Sequence, residues 1–236
     1  MPTSFSTVRN RTPNSTRSVT TIINKIEVKP EPNNEVYCCG PYRFGSTQDR
    51  KEDLPSNRPL YMLLNLIDWI GLDKTIVFNR MRIYISEFGP ANIMLQAVVY
   101  RLTSGATFGD NNTYQNNSVM VGSSSQQLIL SNTDGPKADG LGFYNFVWDE
   151  SISLPSCVDG VEQYYFVSIL LVTSGGGIEL LSQNSNWNVA DLENYGYFDN
   201  DSTQVAIPTT MGKSTASPPG FFPYFTLYKT FGCGTI

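Results

Sequence analysis

The sequence contains no histidine among its 236 residues. That absence removes imidazole as a general base, a general acid and a metal ligand. Ser-His-Asp and Cys-His hydrolysis, HExxH metalloproteolysis and His-ligated zinc go with it. Charge is also scarce: charged residues are 16% of the chain, against about a quarter in ordinary globular domains. No apolar run approaches the ~18 residues that a membrane span needs. The longest candidates, 60–70 and 166–172, are broken by Asn65, Asp68 and Ser168. The first 20 residues lack an apolar core, so no secretory signal is expected there. None of the four cysteines, Cys38, Cys39, Cys157 and Cys233, sits in a CxxC pair, which excludes a zinc ribbon or a thioredoxin motif.

What is present points to strands. Hydrophobic residues make up 40% of the chain, enough for a sizeable core, and 19 Gly and 14 Pro punctuate it. The polar residues are mainly Ser, Thr, Asn and Gln, a mixture that favours short strands and long turns. The net charge of −5 is unevenly spread. Residues 1–30 carry Arg9, Arg11, Arg17, Lys25 and Lys29 against Glu27, so a short basic segment precedes an acidic body. Three arginines are few for packaging nucleic acid, so electrostatic contact with nucleic acid or an acidic neighbouring surface is the lesser reading of this segment and a solubilising, disordered terminus the main one. The cysteines read as free thiols, or as one disulfide from Cys38 or Cys39 to Cys157 or Cys233.

Residues 1–34 read as an extended arm that ends in the breaker cluster KPEPNN. Val19–Val28 is a strand candidate within it, and Glu35–Cys39 is another beyond it. Residues 43–58 read as a polar loop. Leu60–Ile70 fits either a strand or one short helix, since it starts after a proline and stops at Gly71. Thr75–Ser86 alternates, with Val77, Met81, Ile83 and Ile85 on one face and Arg80, Arg82 and Tyr84 on the other. Asn92–Leu102 alternates with Ile93, Leu95, Ala97 and Val99 inward. A polar loop spans 103–124. Strands are expected at Gln126–Ser131, at Phe143–Trp148 with Ser151–Leu154, at Gln163–Thr173 and at Phe221–Phe231. The run QYYFVSILLVT is apolar nearly throughout, as in a strand covered on both faces. A turn falls at Asp159-Gly160, and a long excursion at 182–219. About eight strands result, which is an all-β sandwich pattern.

Few residues offer chemistry. Met211-Gly212-Lys213-Ser214 has half of a phosphate loop, but Ile207 stands where the first glycine belongs and Pro218-Pro219 forbids the following helix. Asp191, Glu193, Asp199 and Asp201 crowd one loop and are a weak calcium candidate. Asp149-Glu150 cannot serve as a glycosidase pair, because neighbours on a strand point to opposite faces. Trp187, Tyr195, Tyr197 and Phe198 are aromatics among Asn and Asp. They suit a glycan platform, the capping of the sandwich, or a subunit interface. No catalytic residue and no cofactor is expected.

Five segments carry a resemblance: TIVFNRMRIYIS, LQAVVYRL, FVWDESISLPS, EQYYFVSILLV and PGFFPYFTLY, in that order. Their arrangement over 75–231 resembles the jelly-roll module of virion structural proteins, in phage fibre heads and single-jelly-roll capsid proteins. The resemblance implies a single jelly-roll β-sandwich over 35–236 behind the N-terminal arm of 1–34. It further implies a non-enzymatic coat or fibre component in the virion, whose partners are copies of itself and other virion proteins. The alternative it leaves open is a lectin-like attachment module that binds a host glycan.

Overall fold

The computed structural model of the chain describes residues 34–40, 49–64, 66–88, 92–131, 142–173, 177–184, 196–213 and 221–230. All of these except Asn34 fall in one compact unit, Glu35–Thr230. Residues 1–33 of the arm, with Arg9, Arg11, Arg17 and the strand candidate at Val19–Val28, lie outside the described residues, as do Cys233, Asp191, Glu193, Trp187 and Tyr195.

The unit is all-β. Its strands are β1 (Asn34–Gly40), β2 (Asp49–Leu54), β3 (Leu60–Leu64), β4 (Thr75–Phe88), β5 (Ile93–Leu102), β6 (Ser118–Met120), β7 (Leu128–Leu130), β8 (Gly142–Pro155), β9 (Cys157–Val158), β10 (Val161–Glu162), β11 (Tyr165–Thr173), β12 (Ile178–Asn184), β13 (Gly196–Phe198), β14 (Phe221–Pro223) and β15 (Phe225–Thr230). A short helix, α1 (Leu66–Ile70), follows β3. Among the described residues no helix is long and apolar enough to cross a membrane.

Two sheets face each other. The first runs β1-β15-β4-β12-β14, with β2 on β12 and β8 on β4. The second runs β13-β3-β11-β5-β6, with β7 on β5. The longest ladders, β4 with β8 and β11 with β5, are antiparallel. Between the sheets lies a core of Ile76, Phe78, Met81, Ile83 and Ile85 from β4, Phe146 and Trp148 from β8, Leu95, Ala97 and Val99 from β5, and Val167, Ile169 and Leu171 from β11. Phe78 and Trp148 meet edge to face at 5.6 Å. Burial of this apolar surface is the main term that holds the sandwich together.

The alternation in Asn92–Leu102 survives intact: Ile93, Leu95, Ala97 and Val99 are buried in the inter-sheet core. That in Thr75–Ser86 does not. The ladder with β8 is irregular between Phe78 and Arg80. The bulge inverts the pleat, so Ile76 and Phe78 face inward before it and Met81, Ile83 and Ile85 after it. Val77, expected inward, is only half-buried. Arg82 keeps its outward place: its Nε donates to Asn145 Oδ1 at 3.2 Å and its guanidinium lies 5.3 Å from the centroid of the Tyr228 ring.

Several other departures are short segments, which carry too few residues for a period to show. The expected loop over 43–58 contains β2, whose sequence DRKEDL takes its order from main-chain pairing with β12. The loop over 103–124 contains β6 and a 3-10 turn at Asn111–Thr113. The expected terminal strand is two, β14 on β12 and β15 on β4, separated at Tyr224. The two segments at 143–154 are one continuous strand. Leu60–Ile70 is strand and helix in succession, β3 to Leu64 and α1 from Leu66.

Gly71 ends α1. Its N–H reaches Ile67 O at 2.8 Å and its φ is +86. A Cβ there would meet nothing within 4 Å, so any cost of Gly71→Ala comes from the left-handed backbone alone. The expected loss is about 1 kcal/mol in urea-unfolding free energy; an unchanged midpoint would show that α1 ends by another conformation.

Candidate functional site

The second sheet is covered on both faces, and its outer face gathers a cluster of buried tyrosines around Asp199. The pleat decides which residues arrive there. In β3, Leu60, Met62 and Leu64 face the first sheet, so Tyr61 and Leu63 face out; in β5 the outward residues are Val98, Tyr100 and Leu102. Phe166 of β11 and Tyr197 of β13 join them, and Tyr114 and Met211 are laid on top by loops. This second core explains the nearly continuous apolar run of β11, where Tyr165–Leu171, Ser168 included, are all buried.

Tyr61 is the centre. Its ring lies 4.9 Å from that of Tyr197 and 5.8 Å from that of Tyr100. Its hydroxyl donates to Asp199 Oδ2 at 3.0 Å and accepts from the Gly212 N–H at 2.9 Å. Asp199 Oδ1 accepts the Asp201 N–H at 2.9 Å. Tyr197 donates to Gly212 O at 3.0 Å, Tyr100 donates to Pro208 O, and the Met211 N–H reaches Ser118 Oγ at 2.9 Å. The segment 199–213 is thereby fastened across the outer face at five points. Gly212 is required at its place, because a Cβ there would overlap the Asp199 carboxylate.

Burial, the largest influence, pushes the Asp199 carboxyl above its usual range, against the hydrogen bonds from Asp201 and Tyr61. Burial likewise raises the phenols of Tyr61, Tyr100 and Tyr197, and the Asp199 charge raises them further. These hydroxyls therefore stay protonated at neutral pH and serve as hydrogen-bond donors. Asp201 differs: it accepts from the Thr203 N–H, the Thr203 hydroxyl and the Gln204 amide, and those bonds, led by Thr203, hold its carboxyl below the usual range.

The expected site residues are thus redistributed. Tyr197 and Phe198 are buried, Tyr197 in the outer-face cluster and Phe198 in the inter-sheet core, so neither offers an exposed ring to a glycan. Of the calcium candidates, Asp199 and Asp201 have their oxygens engaged by the protein's own donors. Among the described residues no group of three or more His, Cys, Asp or Glu is placed to hold a metal ion. Cys157 is a half-buried free thiol, so no bridge joins it to Cys38 or Cys39. Cys38 and Cys39 fall on β1, and their side chains lie outside the described residues. Sequence reasoning does not single out Tyr61 or Tyr100, and it names Met211 only within the incomplete phosphate loop. The only local hint was a tyrosine on the outward-facing register of a largely apolar strand, Tyr61 in β3 and Tyr100 in β5.

No protein-family model matches the chain, and no curated protein matches it.

Proposed function

We propose that this chain is a non-enzymatic structural component of a virus particle, built as a jelly roll, which acts by packing against copies of itself and other coat proteins. One observation carries the reading. The five segments that resemble virion jelly rolls supply β4, β5, β8, β11 and β14–β15, and these fall alternately in the first and second sheets. Such crossing between two antiparallel sheets is the habit of a jelly roll, whose closed, rigid wedge leaves its rims free for neighbours. Fold by itself does not dictate function, so the reading stands on assembly behaviour.

The outer-face network supports it further. A coat subunit needs loops that hold their shape before contact, and 199–213 is held by buried phenols rather than by a partner. Low overall charge reduces the desolvation that subunit contacts would cost.

The test is the size of the full-length chain in solution, by chromatography with light scattering and by electron microscopy. Discrete multimers or particles are expected at micromolar concentration. A strict monomer at about 100 µM would overturn the reading, because interfaces of standard area associate well below that. A variant lacking residues 2–30 is expected to melt at the same temperature as the full chain and to assemble poorly. Equal assembly of the two would remove the arm from the mechanism.

A further inference from the structure

A groove opens where β5 ends and β11 begins, on the rim of the second sheet. Its volume is about 610 Å³. Phe108 and Tyr164 form its platform, with rings stacked at 4.1 Å and 10° from parallel. Around them stand Arg101, Glu162 and Gln163, and the exposed Val161 of the β9–β10 hairpin forms the lip.

The platform is built in advance. The Gly109 N–H, next to Phe108, donates to the buried Tyr114 hydroxyl at 2.9 Å. Thr107 N–H donates to Thr113 Oγ1 at 2.9 Å, and Asp110 caps the 3-10 turn through Asn112 N–H. Tyr164 is fixed from the other side, since its carbonyl accepts the Leu102 N–H at 2.9 Å. Burial and a hydrogen bond to the Glu162 carboxylate push the Tyr164 phenol up to about 12, so the phenol donates and the carboxylate is held beside the ring. The hairpin is anchored by Gln163 N–H to Ser156 O at 3.0 Å and turns through Asp159 and Gly160, both left-handed. Little is left to order when a ligand arrives.

We propose that this groove binds a neutral carbohydrate. A pyranose offers a C–H face to a flat aromatic platform and a ring of hydroxyls to donors and acceptors at its edge. The groove supplies those two kinds of surface: the Phe108 ring, then the Arg101 guanidinium as donor with the Glu162 carboxylate and the Gln163 amide as acceptors. A phosphate-bearing ligand is disfavoured, because the one cation shares the groove with a carboxylate. The inference does not depend on the chain assembling, and its site is remote in sequence from Trp187 and Tyr195.

Saturation-transfer NMR and titration of the full-length chain test it, with a panel of neutral hexose and N-acetylhexosamine oligosaccharides as probes. Saturable binding by at least one is expected. Phe108→Ala is expected to weaken it about tenfold, and Glu162→Gln about fivefold, with the melting temperature unchanged in each. The absence of saturable binding up to about 10 mM would overturn the proposal. So would binding that both variants leave unaltered.

Discussion

Tyr61→Phe is expected to destabilise the chain by about 3 kcal/mol at neutral pH, although it deletes a single oxygen. That oxygen donates to the buried Asp199 carboxylate and accepts from the half-buried Gly212 N–H. Its loss leaves a buried carboxylate oxygen and that amide without their partner together. The melting temperature should fall by roughly 10 °C, given how stability scales with melting in a chain of this length. Tyr197→Phe is the comparison: it removes one neutral bond to Gly212 O and should cost about 1 kcal/mol. The deficit of Tyr61→Phe also has a pH signature. In the native chain Asp199 binds its proton more tightly folded than unfolded, because burial raises its pKa. The stability tied to that proton is present at low pH and is lost as pH rises through the folded value. Removing the donor raises that value further, so the deficit is largest near neutrality and narrows on acidification. Equal deficits at about pH 4 and about pH 7 would show that Asp199 is not the group responding.

The residues at this site explain what could be read in advance and what could not. The alternation of Ile93, Leu95, Ala97 and Val99 announces a strand with one inward face. The run through Phe166, Val167, Ser168 and Ile169, apolar but for one serine, announces a strand with two. Neither says what lies on the second face. Tyr61 and Asp199 are 138 positions apart, and Tyr61 and Gly212 are 151 apart. No local period encodes contacts of that range. Tyr197 and Phe198 looked like exposed aromatics because Asn, Asp and Gly surround them. Three residues of strand at 196–198 suffice to pair with β3 and draw both rings inside. Val77 failed for the opposite reason: alternation was read straight through a bulge, which adds a residue and inverts the pleat without any signal in composition. The groove shows the same blindness. Phe108 lies in a polar loop and Tyr164 at the head of an apolar strand, 56 positions that only the fold closes into a stacked pair at 4.1 Å.

Gly212→Ala is expected to cost about 3 kcal/mol, and the cost should depend almost wholly on one side chain. The three atoms nearest to an added Cβ all belong to the Asp199 carboxyl group, and the overlap is too deep for a small shift to relieve. The carboxylate has nowhere easy to go, since Tyr61 and Asp201 hold one oxygen each. Displacing it breaks both bonds and loosens segment 199–213 from the sheet. Asp199→Ala alone should cost about 2 kcal/mol by leaving those donors unpaired. In that background the methyl of Gly212→Ala enters space the carboxylate has vacated. The double variant should therefore be about as stable as Asp199→Ala, with a coupling energy of about 3 kcal/mol in a double-mutant cycle of urea-unfolding free energies. Additive losses would mean that Gly212 is needed for its backbone rather than for the room it leaves. The carboxylate would then not be the keystone that fastens this loop.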